Sequence, residues 1–168
     1  MLNKIFGAIA GVALSMVPAA AYVDPNTPAL LDYVHSSGII VSINTHPECK
    51  TNKFHGVYIH RGMQRQLVLC PGDKITGFDH AVVRHEVWHA IQHCVNVARD
   101  THLTTPVNQD TRELMEYVNN NLTRQQIERI QYNYPRDKWL LEFEADLAMI
   151  LLTADDITQL FKEACIAD

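Results

Sequence analysis

Apolar positions along the chain change their spacing twice. Residues 5–23 form one run interrupted only by Gly7, Gly11, Ser15 and Pro18–Ala21. Between residues 38 and 70 the apolar residues come in short, β-branched bursts. From residue 76 onward they recur at helical spacing over long stretches. The pattern predicts a short helix over 27–37, with Pro28 in the first turn and Gly38 as its stop. Strands follow at 38–44 (GIIVSIN), 54–60 (FHGVYIH, with Val57 and Ile59 on one face) and 66–70 (QLVLC, closed by Pro71-Gly72). The gap Arg61-Gly62-Met63 suits a hairpin turn between the last two.

Thr76-Gly77-Phe78-Asp79 resembles a capping box and opens a long helix to about Val97. A loop over 101–108 precedes helices at about 110–120 and 124–132. Thr123 is available to cap the second, with Gln126 completing its box. Pro135 starts a further helix to about Leu152, and Asp155 or Asp156 starts the last. Strands grouped ahead of helices indicate an α+β fold, a small three-stranded sheet packed against a helical half.

The first segment reads as an address rather than as fold. Lys4, the apolar run and an Ala-rich end at Ala19-Ala20-Ala21 describe a signal peptide over 1–21, leaving a single domain over 22–168. The competing reading is a retained membrane anchor. Removal takes Lys4 with it and moves the net charge from −5 to −6. A mildly acidic chain without a basic block excludes nucleic acid as a partner. No membrane role is expected unless the first segment is kept.

Cys49, Cys70, Cys94 and Cys165 are an even set without a C-x-x-C pair. In an exported, periplasmic or extracellular protein they imply disulfides, and the expected pairing is Cys49–Cys70 and Cys94–Cys165. Four buried thiols are the intracellular alternative. Asn121-Leu122-Thr123 matches a glycosylation sequon, but Thr123 serves better as a helix cap.

Nine His stand out in the composition. His85-Glu86-Val87-Trp88-His89 is H-E-x-x-H inside the long helix. Residues four apart are rotated by about 40°, so both imidazoles can point at one divalent ion. Glu86 leans to the same space and can take a proton from water there. Trp88 is read as a core aromatic, with a cleft-lining role as the lesser alternative.

Zinc in a catalytic site takes three protein ligands. The metzincin positions for Gly and His are Gln92 and Val95, so that pattern fails. His93 lies too far along the same helix. Glu142 and Asp146 are four apart on an otherwise apolar helix, whereas Glu144 is about 200° around from Glu142. Buried carboxylates need a partner or a metal. Glu142 is therefore the expected third ligand, and Asp146 the acceptor that fixes the tautomer of His85. Glu113, in a more polar helix, is the rival ligand.

H85-E-V-W-H89 followed by E142-F-E-A-D146 resembles the gluzincin zinc metallopeptidases, most closely the M48-type branch. Its order of elements is similar to that of the single-domain minigluzincins. The resemblance implies a zincin-like fold, Zn²⁺ on His85, His89 and Glu142, Glu86 as general base, and Asp146 behind a ligand imidazole. It also implies hydrolysis of an extended peptide or protein substrate. Such a substrate is expected along an edge strand of the sheet. Candidate donors to the oxyanion are His80, His93, His102, Tyr132 and Tyr134. The alternatives are a zinc-binding module without peptidase activity and a structural exported protein with a coincidental motif.

Overall fold

The computed structural model describes residues 23–51, 54–72, 76–99 and 105–166. Residues 1–21, read above as a signal peptide, and His102 lie outside them. In chain order the elements are α1 (Thr27–Ser36), β1 (Ile40–Ile43), β2 (Gly56–Arg61), β3 (Gln64–Leu69), α2 (Gly77–Ala98), α3 (Thr111–Asn121), α4 (Arg124–Asn133), α5 (Trp139–Leu151) and α6 (Ala154–Cys165). Short 3₁₀ turns occupy Pro47–Thr51 and Arg136–Lys138. The fold is α+β, mostly helical, with one small mixed sheet.

β3 is the central strand. It runs parallel to β1 and antiparallel to β2, leaving β1 and β2 as edges. Gly62, in the left-handed region at φ 58°, makes the tight β2–β3 turn that a side chain would strain. The β2 side that packs on α2 carries Gly56, Tyr58 and His60. Val57 and Ile59 are half-buried on the other side.

α2 is the axis of the core. Val87, Trp88 and Ile91 are fully buried among α1, the sheet and α6. Thr76 and Asp79 cap its start reciprocally, as their spacing predicts. α5 is buried on all sides because it lies between two cores. Ala145 and Ala148 face the α2 core, while Phe143 and Leu147 pack with Leu114, Val118 and Ile130 of α3 and α4. The helix predicted from Pro135 begins as a 3₁₀ turn and becomes α-helical only at Trp139. α6 starts one residue before Asp155, because Thr153 and Asp156 form a third capping box after those of α2 and α4.

Both expected disulfides are present, Cys49–Cys70 and Cys94–Cys165, the second tying α2 to α6. They fit an oxidising, exported setting. Among the described residues no helix is long and apolar enough to cross a membrane. At the sequon, Thr123 caps α4 through Gln126, as its position predicts.

Candidate metal centre

α2 and α5 pack side by side, and three side chains meet between them. His85 Nε2 lies 3.2 Å from His89 Nε2 and 3.4 Å from Glu142 Oε2. His89 Nε2 lies 3.6 Å from Glu142 Oε1. The three side chains are 13, 19 and 11% exposed. Ligand atoms placed tetrahedrally about an ion at 2.0–2.1 Å are about 3.3 Å apart, so these separations suit a small divalent cation.

The hydrogen bonds around the cluster fix what its atoms can do. His85 Nδ1 faces Asp146 Oδ1 at 3.0 Å, an acceptor, so this nitrogen carries the proton. His89 Nδ1 faces Gln92 Oε1 at 2.7 Å. That amide is oriented by its other end, since Gln92 Nε2 donates to Leu141 O and Glu144 Oε2. Each ring is thereby held with its Nε2 turned toward the other ring and toward the Glu142 carboxylate. Glu142 Oε2 is buried without a hydrogen-bond partner among the described residues. Two imidazoles and a carboxylate converging in this way could hold a cation.

The titration of these groups says the same. Burial by itself lowers the pKa of His85, but hydrogen bonds to Asp146 and Glu142 and the charge of Glu86 raise it to about 10. Burial raises Glu142, yet hydrogen bonds from His85 and His89 bring it down to about 2. A proton on His85 and a metal ion are alternatives for the space between these groups. His85, His89 and Glu142 are the group of side chains that could hold a metal ion among the described residues.

Asp146 serves two groups. Its Oδ2 accepts from Arg129 of α4 at 2.7 Å while Oδ1 holds His85. Glu86 stays apart from the cluster. Its Oε2 accepts the backbone N–H of Tyr58, on the free edge of β2, at 2.9 Å. This approach depends on Gly56, where a Cβ would come within 2.6 Å of Val82 and 2.8 Å of the Glu86 Cγ. Tyr134, which follows α4, hydrogen-bonds Glu142 through its side chain. Its hydroxyl pKa is pushed well up by burial and by the charges of Glu142, Glu86 and Asp146.

Other expectations are settled by position. Glu113 of α3, the rival ligand, accepts from Asn108 and has no part in the cluster. Trp88 is fully buried and donates Nε1 to Glu144, so it is a core residue and does not line a cleft. His93 pairs with the Tyr58 hydroxyl at 2.9 Å instead of joining the ligands. Tyr132 is 90% exposed. His80 lines a separate apolar cavity of about 440 Å³ bounded by α1, β1 and the start of α2. Of the four oxyanion candidates among the described residues, Tyr134 is the one with a bond to the cluster.

Sequence reasoning missed Gln92, Arg129 and Glu144. Gln92 was visible one turn beyond His89, three residues on, where an amide can reach its ring. Glu144 stays out of the cluster, as its angle from Glu142 on α5 requires. Its carboxylate accepts from Trp88 Nε1, Gln92 Nε2 and the backbone N–H groups of Val107 and Asn108. Burial pushes Glu144 up, and those four donors pull it back. No signal in the sequence placed residues 107–108 over α5. No family model matches the chain, and comparisons with curated proteins and with solved structures find no match either.

Proposed function

We propose that the protein is an exported zinc-dependent endopeptidase with a zincin-like, minimal gluzincin architecture. The observation that carries this reading is the convergence of two imidazole Nε2 atoms and a carboxylate, each ring held by an acceptor at its far nitrogen. His85, His89 and Glu142 would hold the ion, and a two-His, one-carboxylate set on tetrahedral spacing is suited to zinc. Bound zinc supplies Lewis acidity, which lowers the pKa of water and polarises a carbonyl.

The remaining chemistry belongs to the chain. Glu86 follows the first ligand directly, and its carboxylate is held by the Tyr58 N–H. It takes the proton of the attacking water and passes it to the leaving amine. The Tyr134 O–H, kept protonated by its surroundings, donates to the oxygen on which negative charge develops. Asp146, held by Arg129, keeps His85 in the tautomer that presents Nε2. Gln92 does the same for His89. The free edge of β2 offers main-chain groups to an extended peptide.

The test is digestion of casein and of a peptide library by zinc-loaded protein, with and without a chelator. Cleavage that the chelator stops is the expected result. Glu86→Gln should keep the metal and lose turnover by at least about 10²-fold, the scale of general-base catalysis. Zinc binding with no cleavage of any peptide would replace this reading by that of a zinc-binding module.

A further inference from the structure

A second group of side chains lies one helical turn beyond the metal cluster. His93 is one turn after His89 on α2, about 6 Å further along the helix. The exposed His60 of β2 stacks on its ring, with centroids 4.2 Å apart and planes at 17°. Tyr58 pins the stack from β2 by bonding His93 Nδ1, which leaves Nε2 as the nitrogen turned to a ligand. Arg65 sits opposite His60 in the β2–β3 register, on the same side of the sheet. Its guanidinium is anchored on Ser37 O at 3.1 Å, and its charge is felt at both His93 and Tyr58.

This corner joins a guanidinium to hydrogen-donating rings with no counter-charge. Among the described residues no carboxylate lies within ion-pair distance of His60, Arg65 or His93. The groups whose charge acts on His93 are His60 and Arg65. That is unusual in a chain of net charge −5. Two imidazoles and a guanidinium held by a strand, a helix and a backbone carbonyl form a fork that matches a carboxylate. β2 and α2 run the same way here: Gly56 lies against Val82, Tyr58 N–H reaches Glu86, and His60 reaches His93. A peptide laid along the free edge of β2 therefore passes Glu86 and then the histidine stack.

We propose that His60, His93 and Arg65 form a carboxylate-binding subsite that selects peptide substrates bearing an acidic residue about two positions from the bond that is cut. The two-residue offset follows from the 6 Å step along α2 and the rise of about 3.4 Å per residue in an extended peptide. The subsite rests on the peptidase reading for its role and on its own geometry for its ligand.

Two measurements test it. Cleavage sites of the zinc-loaded protein in a peptide library should be enriched in Asp or Glu two residues from the scissile bond. For a good site remade with Gln, the Glu-to-Gln rate ratio should be about tenfold, the size of one charge-assisted hydrogen bond. His60→Ala and Arg65→Gln should each pull that ratio toward one. Amidation of a C-terminal carboxylate separates an end-group effect from a side-chain effect; a preference that amidation abolishes overturns the internal position. Independently of turnover, fluorescein-labelled hexaglutamate should bind the metal-free protein more tightly than hexaglutamine by anisotropy, and His60→Ala should remove the difference. If the protein cuts nothing but still distinguishes the two hexamers, the peptidase reading fails and the anion site stands. Equal binding of the two hexamers, or an acidic preference unchanged in both variants, overturns the subsite.

Discussion

At the scale of single residues, the cluster is a place where a proton and a metal compete. His85 has a pKa of about 10 in the metal-free protein, so at pH 7 it enters metal binding protonated. Binding should release about one proton, and affinity should fall about tenfold for each pH unit below 10. Calorimetry in buffers of different ionisation enthalpy reads this directly. Asp146→Asn removes the charge that orients His85 and should weaken the metal by about 10–100-fold. Arg129→Gln acts one bond further out and should cost less, by competition against a chelating dye. The same groups set a pH window for the metal-free fold. The raised His85 contributes stability below its usual 6.5 and loses it as pH climbs through about 10. The lowered Glu142 contributes above its usual 4.5 and loses it as pH falls through about 2. Chelator-treated protein should melt highest between about pH 4.5 and 6.5; a Tm still rising from pH 7 to 9 would contradict this assignment.

At the scale of elements, the carboxylates of α5 divide their labour by angle. Glu142 and Asp146 meet the imidazoles of α2, whereas Glu144 gathers four other donors, two from α2 and two from residues 107–108. Glu144→Ala strands those donors and should cost at least about 3 kcal/mol in urea unfolding, with Glu144→Gln costing less. Thr76→Ala should cost about 1 kcal/mol through the lost α2 cap. The division itself was legible, since residues two apart on a helix cannot serve one ion. So were the caps at Thr76 and Thr123, because a cap and its partner are three residues apart in the sequence. The partners of Glu144 were not legible, nor was the hold of Tyr58 on Glu86. Each depends on how a loop or an edge strand lies against a helix, which no local pattern encodes. Thr153 was also missed, its box masked by the more conspicuous acids at Asp155 and Asp156.

At the scale of the whole molecule, two disulfides close loops of 21 and 71 residues. On chain entropy the longer contributes about 4 kcal/mol and the shorter about 3. Reduction should therefore lower the Tm, and Cys94→Ala with Cys165→Ala should lower it more than the Cys49–Cys70 double variant does. The pairings were readable because Cys49 and Cys70 flank the predicted hairpin and Cys94 and Cys165 fall in two predicted helices. The metal cluster draws on parts of the chain far apart, His85 and His89 from α2 and Glu142 from α5. α2 and α5 share the core that buries Trp88, so the cluster cannot survive their separation. A cobalt(II) ion placed there would carry the fold in its colour. Its visible absorption should vanish in one step with the shift in emission of the buried indole, making the tint of the solution a gauge of the intact tertiary structure.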